Sequence, residues 1–144
     1  MKTGALAGAV GTAAIGLSDR LERAWLGRPQ VYAPERIAAR LLGLRSRGPA
    51  RAAGVLLRWS YGLLIGTAWN RLLPGRGRGT WRRAVGLGAA ILAFELVALP
   101  ALGATPPLRR WPRAERAMLA WHTQVFAFAE EAARRLLCRR SGLV

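Results

Sequence analysis

The sequence predicts an all-α integral membrane protein, a four-helix bundle with a short interfacial helix between its first two spans. Three observations point there. The stretch Ala84 to Ala104, AVGLGAAILAFELVALPALGA, runs 21 residues with one charge, Glu95, at its middle. At ~1.5 Å per residue a helix of that length reaches ~30 Å, the depth of a bilayer's hydrocarbon core. The chain is 52% hydrophobic with a mean hydropathy of +0.15, although 23 of its 144 residues are basic. Charged and apolar residues therefore fall in separate blocks, as they do when apolar spans alternate with basic connectors. Finally, 17 glycines suit helices whose backbones pack closely in lipid.

The balance of charge is +16. In a water-soluble chain this would indicate nucleic acid. Here the arginines flank the spans, where they meet anionic lipid head groups. No helix-turn-helix signal, Cys/His finger or aromatic–basic RNA motif is present, so no nucleic-acid partner is expected. The expected partners are the lipid bilayer and either another membrane protein or a second copy of the chain. Cys138 stands alone, which excludes an intrachain disulfide and a thiolate metal site. The single histidine, His122, makes no His-rich metal site by itself. No cofactor is expected. Twenty-two arginines against one lysine, with abundant Ala and Gly, suggest a GC-rich bacterial genome and hence a bacterial inner membrane.

The whole chain, 1–144, reads as one membrane domain. The first span covers about residues 3–18 of a helix that continues to Leu26. Lys2 and the small residues Thr12-Ala13-Ala14 also fit a signal peptide, but large apolar residues are few in this stretch. Gly4, Gly8 and Gly11, with Ala7, form a small-residue face for packing. Asp19, Arg20, Glu22 and Arg23 occupy the polar end, and Gly27 and Pro29 stop the helix.

Residues 27–51 form a basic connector. Pro34-Glu35 opens a short helix, PERIAARLLGLRS, that Gly48-Pro49 ends. Its Ile37, Leu41, Leu42 and Leu44 share a side flanked by arginines. Such a helix lies along the head groups or caps the bundle. The second span covers about 52–73, closed by Pro74-Gly75. Gly62 and Gly66 form a G-x-x-x-G pair, with Gly54 two turns earlier, for close approach by another helix. Trp59, Tyr61 and Trp69 supply aromatic anchors. A dense basic turn follows, RLLPGRGRGTWRR. The third span, about 84–104, bends or ends at Pro100. The fourth covers about 114–137. Its Glu130 and Glu131 are expected to emerge into water, with Arg134 and Arg135 four residues on.

Four spans place both termini on one side. Ten basic residues flank that side and twelve the other. The arginine-dense, acid-free turn at 71–83 favours cytoplasmic termini.

Depth along the spans brings the polar residues together. Arg58 and Glu95 differ by only ~5 Å in depth, within an arginine's reach. Glu95 is expected to face the interior and pair with Arg58 or bond to Tyr61, with His122 or Gln124 nearby. Mutual neutralisation is what lets such residues persist in lipid. The arrangement serves either as structural glue or as a path for protons or ions. The motifs G-x-S-x-G, H-E-x-x-H and the Walker loop are all missing, so no enzymatic activity is expected. The primary expectation is a structural or accessory membrane protein acting through helix contacts. The alternative is proton or ion handling at Glu95, Arg58 and His122.

The opening GALAGAVGTAAIGL, the second-span Trp59-Ser60-Tyr61-Gly62 with Gly66 and Trp69, and the third-span ending Leu99-Pro100-Ala101-Leu102-Gly103 resemble small bacterial four-span proteins of the YagU-like kind. The resemblance covers much of the chain and implies a four-span topology. It implies no particular activity. The paired proline that follows the first span in that group is missing here.

Overall fold

The computed structural model describes residues 2–27, 33–73 and 80–140. Among these the chain is all-helical: α1 (Lys2–Leu26), α2 (Pro34–Leu42), α3 (Arg47–Leu72), α4 (Thr80–Ala101), a 3-10 turn (Leu108–Arg110) and α5 (Arg113–Arg140). The terminators Pro29 and Pro74-Gly75 and the glycine-rich turn at 75–79 lie outside the described residues.

Helix ends follow local chemistry, and three differ from expectation. The short helix stops at Leu42, not Ser46. Gly43 turns the chain at φ 64°, and the Leu44 N–H donates to the Ala39 carbonyl at 2.9 Å. Gly48-Pro49 does not end that helix; it lies in the first turn of α3. Proline is tolerated there because the first N–H groups of a helix have no intrahelical acceptor. Pro100 sits inside the last turn of α4, and the left-handed Gly103 (φ 67°) ends the helix instead. Gly103 N–H donates to the Pro100 carbonyl at 3.0 Å, and Ala104 N–H to that of Leu99 at 2.9 Å.

α1 packs against α3 and α5, α4 against α5, and α2 against α3. The long neighbours run antiparallel, since Gly4 faces Gly66 where Gly8 faces Gly62, and Gly11 faces Phe126 where Ser18 meets Trp121. The α1–α3 contact is backbone on backbone. A Cβ at Gly8 would collide with the Gly62 carbonyl, and one at Gly62 with the Thr12 hydroxyl. That hydroxyl donates back to the Gly8 carbonyl at 2.9 Å. Gly54 gives the same room to the Pro34-Glu35 backbone, which seats the start of α2.

α3 and α4 meet through larger side chains. Tyr61 and Phe94 stack with centroids 6.4 Å apart and planes at 22°. Leu87, Ile91, Phe126 and Ala127 form the main core, joined by Ile15, Tyr61, Ile65 and Trp69. A second cluster surrounds Trp111 and Leu119, with the Trp111 Nε1–H donating to the Pro106 carbonyl at 2.9 Å.

The polarity of surface and interior is partly inverted. Leu17, Leu56, Leu64, Phe94 and Val97 are each more than half exposed, while Asp19, Arg83, Glu130 and Glu131 are at most 2% exposed. Among the described residues one stretch, Trp81–Ala101, is long and apolar enough to cross a membrane.

Candidate functional site

Asp19 and Glu22 stand three residues apart on α1, a spacing that puts both carboxyls on one helix face. That face looks at α5, because Gly11 admits the Phe126 ring and the Trp121 Nε1–H donates to Ser18 Oγ at 3.1 Å. The next residue, His122, is thereby placed among the acids. Its Nδ1 lies 3.4 Å from Asp19 Oδ1 and its Nε2 3.4 Å from Glu22 Oε2. Arg58 reaches across from α3 and pairs with Asp19 Oδ2. The side chains of Asp19, Glu22 and His122 are buried, and Arg58 is partly so.

Two cavities flank this cluster. The outer one, about 450 Å³, is lined by Asp19, Arg20, Arg23, Glu35, Arg51 and Arg58 among others. The inner one, about 270 Å³, is lined from all five helices, with the stacked Tyr61 and Phe94 rings in its wall. Its walls are mostly apolar, with Arg58, Tyr61, Glu95 and His122 as the polar contribution. Glu95 is half-buried and shares this lining with Tyr61. Arg58 belongs to both linings.

Four of the expected polar residues, Arg58, Tyr61, Glu95 and His122, thus share one cavity. Gln124 does not join them; its amide packs over Gly88 on α4. The ion partner of Arg58 is Asp19 rather than Glu95, because α1 lies against α3 while α3 and α4 stand further apart. Gly4, Gly8, Gly62 and Gly66 form the α1–α3 contact, and Gly11 serves α5 instead.

Sequence reasoning placed Asp19 and Glu22 at a solvated helix end and missed their role. Their three-residue spacing was the available signal; the partner on α5 was not visible. Glu130 and Glu131 are a second correction. They are buried at the opposite end of the molecule, not emergent. Arg83 Nε donates to Glu131 at 3.1 Å, Arg134 Nη2 donates to it at 2.6 Å, and the half-exposed Arg135 lies 3.6 Å away. Asn70 donates to Glu130 at 2.5 Å, and Arg83 also reaches the Leu73 carbonyl. This network ties the ends of α3, α4 and α5 together.

Comparison with protein-family models, with curated proteins and with solved structures finds no match for this chain.

Proposed function

We propose that the chain is a multi-pass membrane protein whose polar interior handles protons or small cations. In this reading α1, α3, α4 and α5 form a four-helix bundle in a bilayer. α2 lies at the interface, and both termini face the cytoplasm across a bacterial inner membrane. The apolar exterior supports this, since contiguous exposed apolar surface marks contact with lipid or protein. So do the buried carboxylates Asp19, Glu130 and Glu131, matched to Arg58, Asn70 and Arg83, as charges in lipid must be. Arginine-rich ends would contact anionic head groups. Kinship with the YagU-like group, drawn from the glycine and aromatic motifs, belongs to the same proposal.

The observation that carries the functional reading is the position of Arg58. Its side chain pairs with Asp19 and lines both the arginine-lined outer cavity and the cavity that Glu95 lines. Release of that pair would join the two and bring a proton or cation to a carboxylate inside the bundle.

The structural alternative, an accessory protein acting through small-residue helix faces, has less support. Gly4, Gly8, Gly62 and Gly66 are already occupied by one another within the chain. A partner or second copy would have to use the leucine-rich outer faces.

Reconstitution into liposomes tests the reading. After a pH jump under a potassium-clamped potential, the native protein is expected to carry proton flux, and Glu95→Gln to abolish it. Equal flux in both, or none in either, contradicts it.

A further inference from the structure

The interior cluster on α1 and α5 has the donors, the spacing and the shelter of a metal site. We infer that Asp19, Glu22 and His122 bind one divalent transition-metal ion of the zinc class. The inference deepens the ion-handling reading, on which it rests for its physiological role, by naming the ion.

The donor set comes first. One imidazole and two carboxylates suit a borderline cation such as Zn²⁺, and three protein ligands leave a position for water or an incoming group. Sodium or magnesium would favour an all-oxygen set.

Spacing is the second observation. The two His122–carboxylate separations, each 3.4 Å, involve different ring nitrogens, Nδ1 toward Asp19 and Nε2 toward Glu22, and one imidazole gives an ion one nitrogen. With Nδ1 as the ligand, its 3.4 Å to Asp19 Oδ1 matches the ~3.4 Å between donor atoms held at ~2.1 Å around a tetrahedral ion, and Glu22 completes the set from the other side of the ring. One donor atom from each of the three residues lies within 4.8 Å of the other two. Drawing a pair 4.8 Å apart in to ~3.4 Å takes ~1.4 Å of movement, on the order of a side-chain rotation.

Surroundings are the third. All three side chains are at most 4% exposed, so bulk water competes little. Arg58 engages Oδ2 of Asp19 and leaves Oδ1 on the His122 side. Such an outer partner orients a ligating carboxylate. The outer cavity touches Asp19 and the inner one touches His122, so the site has room on both sides.

The test uses the full chain in mild detergent, stripped with chelator and titrated with Zn²⁺ by calorimetry. Co²⁺ serves as an optical probe of the ligand field. The expected result is one ion per chain, unchanged in Cys138→Ser and weakened about 10–100-fold or lost in His122→Gln. Glu22→Gln is expected to behave like His122→Gln, with circular dichroism reporting native helicity for each variant. Asp19→Asn also removes the Arg58 pair, so His122→Gln and Glu22→Gln carry the decision. No stoichiometric binding by the native chain overturns the inference, as does binding that survives His122→Gln or disappears in Cys138→Ser. Proton flux in liposomes without zinc binding would overturn the metal site alone. Zinc binding without any flux would leave the site standing and remove the ion-handling reading.

Discussion

Arg58 on α3 and Asp19 on α1, 39 residues apart in sequence, form an ion pair inside the helix assembly. The pair joins two antiparallel helices at the level of His122, and its Arg58 lines both cavities beside it. A double-mutant cycle measures it. Asp19→Asn and Arg58→Gln are expected to show a coupling energy of about 1–3 kcal/mol, because residues in direct contact are not additive. Glu95→Gln with Arg58→Gln is expected to be additive within about 0.5 kcal/mol, since the ion partner of Arg58 is Asp19. Chemical denaturation in detergent gives both numbers. Strong Glu95–Arg58 coupling would show that the pairing has been drawn wrongly.

Glycines offer a contrast within one molecule. A methyl at Gly62 displaces the Thr12 hydroxyl from its bond to Gly8 and still meets the Thr12 Cβ at 3.2 Å and the Gly8 carbonyl at 3.3 Å, which move only with the α1 backbone. Gly62→Ala is therefore expected to destabilise by at least about 1–3 kcal/mol, the cost of overpacking. At Gly86 a methyl finds only ordinary contact with the Trp69 ring, 3.8 Å away. Gly86→Ala is expected to stabilise by up to about 1 kcal/mol through helix propensity. Thermal unfolding of the two variants side by side checks the sign of each.

The network at the other end predicts a hierarchy around one carboxylate. Glu131→Gln leaves the buried Arg83 without its ionic partner and is expected to cost about 3–5 kcal/mol. Arg135→Gln removes a half-exposed guanidinium 3.6 Å from the same carboxylate. It is expected to cost less than about 0.5 kcal/mol. Equal losses in the denaturation midpoint of both variants would mean that Glu131 is not buried as described.

Helix number and class were legible in the sequence because they rest on local signals. Leu26 and Leu72 end helices close to where the pattern placed them, and the α4 stretch stands out by apolar length alone. The G-x-x-x-G spacing of Gly62 and Gly66 correctly marked a close helix contact, though its partner, the Gly4–Gly8 face, depends on the fold. Gly48-Pro49 misled because the same dipeptide stops a helix or starts one, and only the chain that follows decides.

The site was half legible. Depth counting brought Arg58, Tyr61, Glu95 and His122 to one cavity, since the rise per residue fixes height along a span. It did not choose the partner of Arg58, because that depends on which helices lie side by side. Glu130 and Glu131 were misread for a related reason. Their i,i+4 arginines describe an exposed helix well, and nothing local announces that Arg83 from another helix closes over them.

Alkaline carbonate extraction of cell membranes tests the central claim most directly, that leucine-rich outer faces meet lipid while most carboxylates turn inward. The expected result is that the full chain stays with the membrane pellet and leaves it only in detergent. Release of the chain into the aqueous supernatant would contradict the membrane reading and the cation path built on it.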